Sequence, residues 1–190
     1  LKTMNLIILG PQGSGKGTQA KLLAEKLGYI HVSSGSRLRE FAKGNSPKAK
    51  LIADLLTTGE LLPFDTVMEV IEPDLLNAPK GFILDGTPRD VMQAEYLDWY
   101  LGERKLKIDQ VILLDIPRAV SLDRLAKRAK IENRSDDTPE AIQERLSIYE
   151  HETLPVVDHY RKQGKLIEID GTPDIQTIFA DIVSKLESSS

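Results

Sequence analysis

Gly10-Pro11-Gln12-Gly13-Ser14-Gly15-Lys16-Gly17-Thr18 follows the short apolar run Leu6-Ile7-Ile8-Leu9 and opens a segment of helical spacing marked by Ala20, Leu23 and Leu27. Strand, glycine-rich turn and helix in that order are the context of a phosphate-binding loop. Glycines let the backbone come close to a phosphate and turn several N–H groups toward it. The helix N-terminus adds partial positive charge, and Lys16 adds a full one for the outer phosphates. An incidental glycine-rich turn is the plainer alternative, and the flanking strand and helix weigh against it. The residue after Lys16 is Gly17, with the hydroxyl one place later at Thr18. A direct hydroxyl bond to a metal is therefore not expected, and a metal would sit on phosphate oxygens and waters.

Outward from this loop, apolar runs alternate with helical patterns. Strands are expected over 4–9, 29–32, 82–84, 111–114 and 166–169. Helices are expected over 35–44, 48–57, 65–77, 90–102 and 175–186, and from Pro117 to about Ala129. Thr138 is placed to cap a long helix, with Pro139 and Glu140 in its first turn and Ile142, Leu146 and Tyr149 on its buried face. Five short apolar strands separated by helices predict an α/β fold, with a parallel sheet covered by helices on both faces.

The 190 residues suffice for one sizeable core. Hydrophobic residues make up 41% and charged residues 28%, with a formal net charge of −4. An overall acidic chain has no electrostatic attraction to nucleic acid or to an anionic membrane surface, so neither is expected as a partner. A polyanion would need a local cluster of basic groups. The absence of cysteine excludes disulfides, thiolate metal sites and cysteine nucleophiles, and fits a cytoplasmic location. The run Leu6–Leu9 is too short to cross a membrane.

The string GPQGSGKGTQ, residues 10–19, resembles the nucleotide loop of adenylate kinases and related nucleoside monophosphate kinases, whose habit is the extra glycine between lysine and threonine. Further blocks carry the same resemblance in order: His31-Val32-Ser33-Ser34-Gly35-Ser36-Arg37-Leu38-Arg39, Thr58-Gly59-Glu60-Leu61-Leu62-Pro63, Asp85-Gly86-Thr87-Pro88-Arg89 with Gln93, the arginines Arg124, Arg128, Arg134 and Arg145, and Asp170-Gly171-Thr172-Pro173. Three positions depart from the family pattern. Ser36 stands for an aspartate that helps hold the metal's water shell, Thr87 for an aromatic residue, and Asn133 for a glycine.

The resemblance implies a P-loop three-layer sandwich with a five-stranded parallel sheet, a helical acceptor-binding insert at about 34–63 and a short lid at about 129–137. The core would comprise 1–33, 80–128 and 138–190. It also implies Mg2+-dependent phosphoryl transfer from ATP to AMP, giving ADP, by a monomer. ATP would meet Gly13, Ser14, Gly15, Lys16, Gly17, Thr18, Arg124, Arg128, Thr172 and Pro173. AMP would meet Ser34, Gly35, Arg39, Leu56, Leu61, Leu62, Gly86, Arg89, Gln93, Arg134 and Arg145. Lys16, Arg89, Arg124, Arg128, Arg134 and Arg145 would surround the transferred group, and Asp85 would hold magnesium through water. Two alternatives stay open at this point. One is a UMP/CMP kinase of the same family, against which Gln93 speaks. The other is a catalytically weak nucleotide-binding regulatory module.

Overall fold

The structure, a computed structural model, describes residues 3–132 and 138–188, and of 130–132 the backbone alone. Five parallel strands form one sheet: β1 (Leu6–Leu9), β2 (Ile30–Ser33), β3 (Phe82–Asp85), β4 (Gln110–Asp115) and β5 (Leu166–Asp170), in the order β2-β3-β1-β4-β5. The helices are α1 (Lys16–Leu27), α2 (Ser34–Phe41), α3 (Pro47–Thr58), α4 (Phe64–Leu76), α5 (Val91–Gly102), α6 (Arg118–Glu132), α7 (Pro139–Ile148), α8 (Leu154–Lys162) and α9 (Ile175–Ser188). A single π-helical turn, Tyr149–Thr153, joins α7 to α8.

Alternation along the strands divides the core into two layers. Ile7, Leu9, Val32, Phe82, Leu84, Val111 and Leu113 face the side covered by α2, α3, α4, α5 and α8. Leu6, Ile8, Ile83, Ile112, Leu114, Ile167 and Ile169 face α1 and α9. Both faces of β1 and β3 are buried, which is why these strands read as unbroken apolar runs rather than alternating ones. Register is Leu6 opposite Ile83 and Gln110, and Val111 opposite Leu166. A one-residue slip would exchange the layers and expose the helix-facing side chains to the wrong neighbours.

The expected strands and helices are present within a few residues. Thr138 caps α7, its Oγ1 accepting from the Ala141 N–H at 3.1 Å, with Pro139 in the first turn. The buried face of α7 differs from expectation. Ala141, Arg145 and Leu146 are buried while Ile142 is half-buried. Ala141 lies against Gly59 and Arg145 turns inward to a polar cleft, so the helix is rotated toward two contacts that hydrophobic spacing does not encode.

Candidate active site

Chain connections leave β1 and β3 toward opposite sides of the sheet, and the crevice beyond their C-terminal ends is where open α/β sheets take ligands. A cleft of about 840 Å³ opens there. It is lined by the 10–18 loop, the start of α2, the 59–62 strip, residues 85–89 and arginines from α6 and α7.

Lys16 is the first residue of α1. Its ammonium donates to the carbonyls of Gly10 at 2.6 Å and Pro11 at 2.8 Å, folding the lysine over its own loop. Burial lowers its pKa to about 8; Asp85 acts in the opposite sense, while Arg89 and Arg128 add to the lowering. Gly13 is required twice. Its φ is +83, and a Cβ there would stand 2.9 Å from the Ser121 carbonyl on α6. The Ser121 hydroxyl in turn donates to the Gln12 carbonyl, so α6 fixes the loop's outer curve. Gly15, Gly17 and Thr18 line the cleft, whereas Ser14 is fully buried beneath the loop.

Asp85 ends β3 with its side chain 12% exposed, close enough that a Cβ on Gly17 would meet Oδ2 at 3.4 Å. His31 Nε2 lies 3.5 Å away on the neighbouring strand. One recessed carboxylate beside a phosphate loop suits Mg2+, which keeps several waters and takes substrate phosphates rather than a full protein cage. Among the described residues no group of three or more His, Asp or Glu side chains forms such a cage.

Across the cleft, the Ser34 hydroxyl donates to the Asp85 carbonyl at 3.1 Å and fills the space a Cβ on Gly86 would need. Arg39 curls back over Gly35, with Nη2 3.4 Å from the Ser36 hydroxyl. Arg89 is held at three points. Its Nε donates to Gly86 O at 3.1 Å, its N–H donates to Gln93 Oε1 at 2.9 Å, and its carbonyl accepts from Thr153 Oγ1 at 2.7 Å. Burial lowers its pKa to about 10, Arg145 and Arg39 adding to the effect and Asp85 opposing it. Leu56, Leu61 and Leu62 line the far wall.

Of the expected arginines, Arg124, Arg128 and Arg145 reach the cleft, and Arg134 lies outside the described residues together with Asn133. Arg124 directs its guanidinium to the carbonyls of Gly171 at 2.8 Å and Thr172 at 3.0 Å. It thereby ties α6 to the exposed turn that contains Thr172 and Pro173, which do not line the cleft. Asp123 and Lys127 pair on the adjacent face at 2.7 Å. Arg145 is 8% exposed and donates to the Leu56 carbonyl at 2.9 Å, joining α7 to the end of α3. At that junction Gly59 has φ +83, and a Cβ would stand 2.8 Å from Ala141 O.

Sequence spacing missed Thr153, because a π-turn between two helices leaves no periodic mark. It also gave Tyr149 only a core role, whereas the ring lines the cleft. Its hydroxyl is held above its ordinary pKa by burial, with Asp115 adding to the shift.

Lys16, Arg39, Arg89, Arg128 and Arg145 therefore converge on one cleft of an acidic chain, several depressing one another's proton affinity. Such a set receives polyphosphate. Comparison with known proteins agrees: the sequence model of the family described as adenylate kinase matches residues 8–165. The chain belongs to the adenylate kinase family. An adenylate kinase of Stenotrophomonas maltophilia (strain R551-3) is 41% identical over 186 residues, covering 97% of this chain and all of the relative. One from Kosmotoga olearia is 37% identical over 215 aligned positions, covering 97% and 100%. One from Caulobacter sp. (strain K31) is 40% identical over 185 residues, covering 96% and 98%. Among the described residues of this family member, no helix is long and apolar enough to cross a membrane.

Proposed function

We infer that the chain catalyses reversible phosphoryl transfer from ATP to AMP, giving two ADP. The observation that carries this conclusion is the convergence of cations from α1, α2, α6 and α7 and the 85–89 turn on one cleft that the phosphate loop and Gln93 also line. Phosphoryl transfer asks little covalent chemistry of a protein; it asks for in-line placement and charge stabilisation. Lys16 and the loop amides at 13–18 hold the donor's phosphates. Arg39 and Arg89 hold the acceptor's phosphate, and Arg128, Arg145 and Arg134 gather around the group in transit. Arg124 serves the donor by fixing the turn at Thr172 and Pro173. Asp85 would hold the water shell of a Mg2+ ion bound with the donor, and that ion would supply charge to neutralise the phosphates. The acceptor insert of this proposal is about 34–63, and its short lid, about 129–137, falls mostly outside the described residues. Such a protein works as a cytoplasmic monomer on small nucleotides.

Acceptor choice follows from Gln93. A backbone N–H only donates, so the amide atom beside Arg89 N is the oxygen, and the amide NH2 is left for the base. That group suits a ring-nitrogen acceptor, which adenine N1 and cytosine N3 offer and which the protonated ring nitrogens of guanine and uracil do not. With ATP as donor, kcat/KM is expected to rank AMP first, CMP next, and GMP and UMP last. A UMP preference in a coupled ADP-formation assay would overturn the assignment. The full-length relatives are named adenylate kinases, which favours AMP over the pyrimidine-kinase and regulatory-module alternatives.

A pH prediction follows from Lys16. Its ammonium is charged below about pH 8 in the empty site and loses its proton above. Phosphates bound beside it raise its pKa again. kcat/KM for ATP, which reports the free enzyme, should fall as pH rises through 8, approaching about tenfold per unit. kcat should stay level to about pH 9 by the same reasoning. A flat kcat/KM to pH 10 would remove the neutral lysine from the free enzyme.

A further inference from the structure

Three carboxylates on α4 each face a different neighbour. Asp74 accepts two hydrogen bonds from Arg37 on α2, Nε to Oδ2 at 2.7 Å and Nη2 to Oδ1 at 2.9 Å. Glu69 pairs with Lys48 on α3. Glu72 accepts from the Tyr100 hydroxyl on α5 and lies 3.4 Å from Arg104, whose guanidinium stacks over the Tyr100 ring at 3.6 Å. α4 is thus bolted to both helices of the acceptor insert on one side and to α5 on the other.

These neighbours carry the two ends of the acceptor site. Arg37 and Arg39 are two residues apart, so they leave α2 on opposite faces: Arg39 lines the cleft, while Arg37 reaches α4. Gln93 stands in the first turn of α5. We propose that α4 is a strut setting the separation between the phosphate-binding Arg39 and the base-reading Gln93, and that Arg37, through Asp74, is a positioning residue for the acceptor. This rests on the acceptor assignment given above.

Two physical features make the Arg37–Asp74 tie more than ornament. α2 has eight residues, too few to be stable alone, and buries only Ser34 and Leu38. Its N-cap bond, Ser36 N to Ser33 Oγ, is long at 3.4 Å. Asp74 lies in the last turn of α4, at the negative end of the helix dipole, where no basic residue of α4 accompanies it. Its carboxylate is 21% exposed, so Arg37 supplies the compensating charge. A paired guanidinium–carboxylate contact also fixes orientation, which a single-point lysine contact would not.

The test uses the full chain with Arg37→Leu, Asp74→Asn and the charge-reversed double variant Arg37→Asp/Asp74→Arg. Each single variant should raise KM for AMP about three- to fivefold, the size of effect a well-aligned but half-exposed pair supports. kcat and KM for ATP should stay within about twofold, and the double variant should recover at least half of the loss on the same scale. AMP and ATP constants moving together, an unchanged KM for AMP in both single variants, or no recovery in the double would overturn the proposal. Hydrogen exchange on the ligand-free protein reads the tie whatever the acceptor is. Amides of 34–41 should exchange faster in Arg37→Leu while those of β1 and β3 do not, and unchanged exchange in α2 would overturn it. Absence of AMP-dependent ADP formation by the unaltered chain would count against the acceptor assignment instead, leaving the exchange experiment to decide the strut.

Discussion

Lys16→Ala should lower kcat by about 10²–10³-fold, the cost of deleting one preorganised donor aimed at developing phosphate charge. The effect is large because nothing else occupies its place. Lys16 opens α1 at the point where the loop amides converge, and burial with Arg89 and Arg128 nearby leaves its ammonium short of solvation until an anion arrives. In the empty cleft it settles on the Gly10 and Pro11 carbonyls, so the variant loses two local hydrogen bonds but no core packing. Circular dichroism and the thermal midpoint should change little. Turnover within tenfold of the unaltered chain would exclude Lys16 from the chemistry.

Arg89→Lys should cost nearly as much as Arg89→Ala, with kcat/KM for AMP down about 10²-fold in both. A lysine conserves charge in name only. Arg89 is pinned through Nε to Gly86 O, which leaves its two Nη groups as a fork for a phosphate. A lysine has neither the fork nor the second anchor. Burial already pulls the arginine down to about 10, and a less basic amine in the same surroundings would be pulled toward neutrality. KM for ATP should move far less than KM for AMP. Retention of more than a tenth of kcat/KM for AMP by Arg89→Lys would show that charge alone suffices and that the fork is not used.

The parts of this molecule legible in its sequence are those governed by short-range rules. The glycine pattern at 10–15 demands a particular backbone, and the apolar runs at 6–9 and 82–84 can only be strands buried on two faces. Thr138 announced a helix start because its cap bond closes within four consecutive residues, 138–141. Contacts between distant segments were another matter. Arg124 was expected on ATP and at the transferred group; it lines the cleft, and its guanidinium also closes on carbonyls 47 and 48 residues away. Arg145 was expected on phosphate, and its bond to Leu56 O shows that it also joins α7 to α3. Arg37 carried no expectation, since an exposed helix arginine is ordinarily a solvated charge; only the arrival of Asp74 from α4 gives it a task. Thr153 became visible only once the π-turn brought its hydroxyl to the Arg89 carbonyl.

The crowding of like charges in the cleft reaches beyond turnover. With no phosphate present, Lys16, Arg89 and their neighbours push against one another, and the native state carries that repulsion as a handicap in its balance with the unfolded chain. Nucleotide relieves it, and any ligand held only by the native state shifts that balance further. The enzyme's lifetime is thereby tied to the abundance of its own substrates: starved of them it is at its most fragile, and supplied with them it is protected by the molecules it processes.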